Sequence, residues 1–257
     1  MIEIKDLRIV YGQGEDATVA CDGVDLTIAD NEFVSIIGPS GCGKTSMLKV
    51  LDGLLPPTSG DVLINGARVT GPGRDRALVF QHFALLPWAT IEDNVAFGLE
   101  ARGVSKSERR KTARKYIDTV GLKGFEHRLP AQLSGGMQQR VGLARALAVD
   151  PDILLMDEPF GAVDAQTRQL LQEDLLDIWQ KTSKTVVFVT HSMDEAVYLS
   201  DRVVIMNPRP GRVAEILDID LPRPRGPEVR ELARFAQLTS YVWNCLRDSV
   251  REEVTLT

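Results

Sequence analysis

The chain has 257 residues, enough for a full hydrophobic core with an appendage, and a net charge of −6, which excludes a general basic footprint for nucleic acid. Its three cysteines, Cys21, Cys42 and Cys245, form no CxxC pair and point to a reducing compartment without structural disulfides. The opening Met1-Ile2-Glu3-Ile4-Lys5-Asp6 alternates and carries acids, unlike a secretory leader, and no uninterrupted apolar run exceeds four residues, so any membrane-spanning part of its process is expected on another chain.

Residues 1–30 read as strands. Ile2, Ile4 and Leu7 alternate loosely, Val24, Leu26 and Ile28 strictly, and the polar turn Gly12–Asp16 lies between them. Tyr11, at the edge of that turn, reads either as a half-buried strand aromatic or as a platform for a nucleobase. A strand-like run, Glu32–Ile37, then leads into Gly38-Pro39-Ser40-Gly41-Cys42-Gly43-Lys44-Thr45, and a helix-like run to Leu54 follows. This is a G-x-x-x-x-G-K-[ST] loop in the strand–loop–helix context that gives the motif meaning. Gly41 and Gly43 let successive backbone N–H groups turn toward one anion, and the helix start adds partial positive charge. Lys44 suits the β- and γ-phosphates and the Thr45 hydroxyl suits Mg²⁺. The loop specifies a nucleoside triphosphate and leaves kinases, GTPases and ATPases open.

Pro56–Gly60 stops the helix, and Asp61–Ile64 is a strand ending in an Asn65-Gly66 turn. Ala77–Phe80 reads as a buried strand with Gln81 at its carboxyl end, where ligands of open α/β sheets sit. Residues 82–130 read as a mainly helical insertion. It has a proline-broken Leu85-Leu86-Pro87-Trp88, a capped helix start at Thr90–Asp93, and a charged run from Arg102 to Lys115 that reads as a solvated helix face. Leu133-Ser134-Gly135-Gly136-Met137-Gln138-Gln139-Arg140 opens another helix, with Ser134 as N-cap and two glycines that would let an anion reach the bare N–H groups. A second phosphate site implies two ligands, or one ligand clamped from both sides within one chain or across a head-to-tail dimer.

Ile153–Asp157 is a buried strand ending in the acids Asp157 and Glu158; the first suits Mg²⁺ and the second an attacking water. Pro159–Asp164 is a loop, Gln166–Trp179 a helix, and Thr185–Thr190 a buried strand ending at His191, placed for a γ-phosphate. Val203–Met206 is expected to close the sheet. After the Pro/Arg-rich bend Leu221–Pro227, a helix is expected to carry Val229, Leu232, Ala236, Thr239, Trp243, Leu246 and Val250 as a stripe packed on the body.

Taken together, these residues resemble the ATP-binding subunit of an ABC transporter over nearly the whole chain. The Walker A loop 38–45, Gln81, the signature 133–140, the Walker B strand 153–157 with Glu158, and His191 follow the family's order. The resemblance implies an α/β P-loop NTPase with a RecA-like core, an N-terminal antiparallel β subdomain and a helical signature subdomain. It implies an ATPase domain over 1–220, with the helical part inserted at about 82–150, and a C-terminal linker and helix over 221–257. It implies binding of ATP by Tyr11, Gly38, Pro39, Ser40, Gly41, Cys42, Gly43, Lys44, Thr45, Ser46, Ser134, Gly135, Gly136, Gln138 and Asp164. Mg²⁺ would be held by Thr45, Gln81 and Asp157, and catalysis carried by Glu158, His191, Gln81 and Lys44. It also implies a head-to-tail dimer of two copies, membrane permease subunits, a periplasmic or lipid-anchored solute-binding protein, no nucleic acid, and a peripheral place on the cytoplasmic side of a bacterial inner membrane. Leu86-Pro87-Trp88, Glu92-Asp93-Asn94-Val95 and Pro208-Arg209-Pro210-Gly211-Arg212 are similar to the nitrate/sulfonate/taurine importers, which implies uptake of a small anionic solute. The alternative is a soluble ATPase of the same class acting on a protein or nucleic-acid partner.

Overall fold

The computed structural model describes residues 1–81, 84–161, 163–182 and 184–255, in two compact units: residues 1–73 with 184–257, and residues 74–183. His82, Phe83 and Ala162, which fall in the expected helical insertion and the Pro159–Asp164 loop, lie outside the described residues.

In the first unit, β1 (Ile2–Tyr11) pairs antiparallel with β2 (Thr18–Ile28). Alternation, reset by an irregularity between Ile4 and Leu7 where Asp6 has φ 47°, places Ile2, Ile4, Leu7 and Ile9 of β1 and Val24, Leu26 and Ile28 of β2 inside, as a one-sided antiparallel sheet requires. β3 (Phe33–Ile37) is buried at every position and leads into α1 (Lys44–Asp52). β4 (Ser59–Ile64) and β5 (Ala67–Arg68) form a hairpin through Asn65 (φ 49°) and Gly66 (φ 78°), the paired left-handed residues that a tight hairpin demands, and β4 pairs with β1.

The second unit begins with β6 (Arg76–Val79) and continues through α2 (Ile91–Ala101), α3 (Lys106–Thr119), α4 (Gly135–Ala148), β7 (Ile153–Asp157) and α5 (Ala165–Thr182). β6 and β7 are parallel, and Val79 stands opposite Met156. The charged run does form a solvated helix, α3, with Ala113 and Ile117 as its buried anchors. Two buried polar residues organise the start of α2. Asn94, fully buried, accepts from Leu86 N (2.8 Å) and donates to the carbonyls of Leu86, Ala89 and Thr90 (3.0–3.1 Å), so it folds the Pro87-Trp88 turn onto its own helix. Glu92, also buried, receives Arg114 Nε at 2.5 Å with Arg110 Nε at 3.6 Å.

The chain returns to the first unit with β8 (Thr185–Thr190), α6 (Met193–Leu199), β9 (Arg202–Asn207), β10 (Arg212–Asp218) and α7 (Ala233–Thr255). β3 lies between β8 and β9, parallel to both; β3 and β8 are buried at every position and β9 at Val203–Met206, as strands covered on both faces are. The sheet does not close at Val203–Met206. β10 lies beyond β9, antiparallel, and its regular alternation of exposed and half-buried residues marks it as an edge. The expected C-terminal stripe is also out of phase. Residues Pro227–Glu231 form a separate 3₁₀ turn, so a 3.6-residue period drawn from Val229 does not carry into α7. Among the described side chains of α7 the buried positions are Phe235, Leu238 and Val242, whereas Leu232 and Trp243 are exposed at 41% and 53%; the Val250 side chain lies outside the described residues.

Asn94→Ala leaves one N–H and three carbonyls without their partner and is expected to lower the unfolding free energy by about 3 kcal/mol. Urea unfolding followed by circular dichroism should show the midpoint fall. An unchanged midpoint would mean that Asn94 does not hold the turn.

Candidate functional site

In the first unit the functional residues sit at the carboxyl edge of the parallel strands. Ile37 of β3 stands opposite Thr190 of β8, so the phosphate loop and His191 leave the sheet at the same level from neighbouring strands. Gly41 (φ 83°) and Gly43 (φ 91°) both adopt the left-handed conformation, and Gly43 is the N-cap of α1. Lys44 is 4% exposed, and its Nζ donates to Gly38 O (2.7 Å) and Pro39 O (2.9 Å), curling over the loop with Cys42 Sγ at 3.7 Å. Burying an ammonium is costly unless it is bonded; here the loop's own carbonyls hold it where an incoming anion meets it. The loop is packed backbone on backbone. A Cβ on Gly43 would collide with Cys21 Sγ and lie 2.6 Å from Ala20 O. One on Gly211 would collide with Cys42 O. Gly211 is tied to β2 by its N–H to Ala20 O and by Asp22 N–H to its own carbonyl, both at 3.0 Å. Burial pushes the Cys21 thiol up to about 12 and raises that of Cys42, so both behave as apolar packing.

Tyr11, at the end of β1, is 43% exposed and donates to Ser46 Oγ at 3.0 Å, which brings it to the first turn of α1. His191 is exposed, and the residues around it are closely bonded. Ser192 N donates to Thr190 Oγ1 (3.0 Å), Thr190 Oγ1 donates to the buried Glu195 Oε2, and Glu195 N donates to Ser192 Oγ (3.3 Å). Glu195 escaped the sequence reading, because a Glu in the first turn of a helix is ordinary capping chemistry.

In the second unit the parallel register of β6 and β7 again sets the geometry. Gln81 lies two residues beyond Val79 and Glu158 two beyond Met156, so their side chains meet: Gln81 Nε2 donates to Glu158 Oε2 at 3.3 Å. Glu158 has φ 46°, a strained conformation for a non-glycine residue, and Gly161 N–H holds its carbonyl at 3.0 Å. Asp157, half-buried, is the last residue of β7. The signature forms the start of α4. Ser134 is its N-cap and accepts from Met137 N at 3.3 Å, Gly135 opens the helix, and Gly136 is buried against Thr167. Gln138 Nε2 is committed to the carbonyls of Pro130 (3.1 Å) and Leu133 (3.2 Å), so it braces the loop that leads into the signature. Asp164 accepts from Thr167 N at 3.0 Å as a cap of α5, and that bond holds its carboxyl below the usual range.

The strand–glycine loop–helix of the first unit and the parallel strands and helices of each unit are those of a P-loop nucleotide-hydrolase fold. A family model described as ABC transporter matches residues 21–161. An ABC transporter ATP-binding protein of Methanocaldococcus jannaschii is 53% identical over 97% of this chain and 92% of its own length. The nitrate import ATP-binding protein NrtD of Synechocystis is 43% identical over 98% and 97%, and the taurine import ATP-binding protein TauB of Burkholderia thailandensis 50% identical over 84% of each. A dimeric post-hydrolysis structure of the ATP-binding cassette MJ0796 bound to ADP and Pi superposes with a TM-score of 0.76 at 36% identity, over 88% of this chain and all of that one. The chain belongs to the ABC transporter family.

Gly43→Ala meets both the left-handed backbone and the Cys21 contact and is expected to cost about 3 kcal/mol, whereas Gly41→Ala, whose nearest neighbour is Arg209 at 3.9 Å, meets only the backbone term of about 1 kcal/mol. Paired thermal melts read the difference. Equal losses would contradict the close packing of Gly43.

Proposed function

We propose that the chain is the ATP-binding and ATP-hydrolysing subunit of an ABC importer that energises uptake of a small anionic solute through a separate permease. The ATPase part is carried by the meeting of Gln81 with Glu158 at level strand ends in a chain that also presents an anion loop with a buried lysine. The import part is supported by likeness along nearly the full length to a protein named for nitrate import and over 84% to one named for taurine import.

Each residue's role follows from its chemistry. The N–H groups of residues 41–46 and the Lys44 ammonium bind the phosphates, and Tyr11 stacks on the adenine while its hydroxyl stays on Ser46. Glu158 takes the proton of the attacking water. The bond that forms joins that water oxygen to the γ-phosphorus; the bond that breaks frees the β–γ bridging oxygen, which leaves with ADP. The strained backbone of Glu158 and its bond to Gln81 aim the carboxylate. His191 donates to a γ-phosphate oxygen, and Lys44 and Ser134 stabilise phosphate charge. Mg²⁺, when bound, neutralises the β- and γ-phosphates; Thr45, Asp157 and the Gln81 Oε1, which its Nε2–Glu158 bond turns away from the carboxylate, are hard oxygen donors that fit it.

Two copies pack head to tail, so that Ser134, Gly135 and Gly136 of one copy close on the nucleotide held by the other, with Asp164 beside them. The dimeric cassette structure bound to ADP and Pi supports a dimer. The permease supplies the membrane path: no helix among the described residues is long and apolar enough to cross a membrane. The chain works peripherally on the cytoplasmic side of a bacterial inner membrane, and a periplasmic or lipid-anchored binding protein selects the solute.

Glu158→Gln removes the base while keeping the shape. It is expected to reduce ATP turnover by about 10²-fold or more and to accumulate an ATP-bound dimer, read by phosphate release and by size-exclusion chromatography with ATP and Mg²⁺. Undiminished turnover would overturn the role.

A further inference from the structure

The C-terminal segment grips the helix that follows His191. Arg225 is 5% exposed, and its Nη1 donates to the carbonyls of Val197 (3.3 Å), Tyr198 (3.0 Å) and Ser200 (2.7 Å). Its Nη2 reaches Ile219 O and Leu221 O, both at 3.4 Å. Arg223 Nη2 donates to Leu199 O (2.8 Å), and its Nη2 and Nε bond Asp201 Oδ1 at 2.7 and 3.0 Å. The Arg230 guanidinium stands 3.8 Å from the centroid of the fully buried Tyr198 ring. The carbonyls of residues 197–200, the end of α6, therefore all terminate on two guanidinium groups. These are the carbonyls that a helix leaves without partners, and a cation there also opposes the helix dipole.

Such a cap is an expensive way to stop a helix. A glycine ends many helices without burying a charge, and a guanidinium that meets carbonyls rather than a carboxylate in the interior carries a large desolvation cost. That burial draws the Arg225 pKa down to about 10, which leaves it cationic at neutral pH. What the arginines add beyond a stop is a fixed position. Asp201, held by Arg223, accepts from Phe33 N (2.9 Å) and donates its own N–H to Phe33 O (2.7 Å) at the first residue of β3. The far end of α6 is closed by the ring of bonds from Thr190 through Ser192 to Glu195 that encloses His191. α6 has only seven residues, so a shift at its carboxyl end passes to its amino end.

We propose that Arg225, together with Arg223, is a positioning residue for His191: the C-terminal segment sets the placement of α6 against β3 and β8, and with it the reach of the His191 side chain toward the terminal phosphate. The proposal rests on the reading of His191 as a γ-phosphate contact.

The test measures ATP and ADP affinities in the hydrolysis-arrested Glu158→Gln chain, with Arg225→Met, Arg225→Lys, His191→Ala, and Arg225→Met combined with His191→Ala. A lost hydrogen bond to a charged group predicts that His191→Ala and Arg225→Met each weaken ATP binding by about tenfold while ADP binding stays within about twofold. The combined variant is expected to lose no more than His191→Ala alone, because both changes remove the same contact. Arg225→Lys, which keeps the charge but not the fork, is expected to lose about twofold for ATP alone. A parallel loss of ATP and ADP affinity in Arg225→Met, or no loss of either while His191→Ala loses ATP affinity, would overturn the proposal and leave Arg225 a structural cap. An unchanged ATP-to-ADP ratio in His191→Ala would instead overturn the reading of His191, and the proposal with it. If Arg225→Met does not fold, an unchanged ratio in Arg225→Lys overturns the proposal.

Discussion

A phosphate loop works by presenting bare N–H groups, and bare backbone is stable only where the surrounding chain is close enough to hold it. In this protein that constraint is met by packing backbone against backbone. Ala20 and Cys21 of β2, Cys42 and Gly43 of the loop, and Gly211 after β9 approach so closely that Cβ atoms on Gly43 and Gly211 have no room. The arrangement explains several otherwise unrelated features of the first unit. β2 needs a bridge to Gly211, Cys21 and Cys42 serve as small buried side chains, and Lys44 turns its ammonium onto the loop's own carbonyls.

Register is the second organising device. In both units, parallel strands end level with one another, and the polar residues that follow them are delivered side by side. Ile37 opposite Thr190 delivers the phosphate loop next to His191, and Val79 opposite Met156 delivers Gln81 to Glu158. A one-residue slip in either pair would turn each following side chain to the other face of its strand. The strained φ of Glu158 belongs to the same logic: the chain leaves β7 abruptly and directs the carboxylate back toward Gln81 rather than along the strand.

Away from the glycine loop, buried polar groups fix local shape. Asn94 folds the Pro87-Trp88 turn, Glu92 gathers Arg110 and Arg114, and Arg223 and Arg225 close the end of α6. Each is a costly group made stable by several polar partners at once, and each ties two stretches of chain that hydrophobic contact alone would leave free to slide. Trp88, 77% exposed at the tip of the turn that Asn94 holds, shows how such a device can present an apolar side chain to solvent in a defined place.

The motifs were legible because their chemistry is local. A glycine loop between a strand and a helix, Ser134 ahead of two glycines, and acids at the end of an apolar strand each carry their meaning within a dozen residues, and so did the buried strands β3, β7 and β8, whose apolar runs need no knowledge of their neighbours. The sequence by itself thus determined the fold class and the family. What only the tertiary structure decided were the relations that depend on partners distant in the chain. These include β10 as the edge beyond β9, the phase of α7 after the 3₁₀ turn at Pro227–Glu231, the attachment of Gln138 to Pro130 and Leu133, and the grip of Arg225 on the end of α6. Arg225 in a Pro/Arg-rich bend reads as a solvated residue until the four carbonyls at the end of α6 come to lie beside it and its neighbour Arg223. Periodicity reports which face of an element is apolar, but not which buried polar atoms another segment will satisfy, because that is set by close approach in three dimensions.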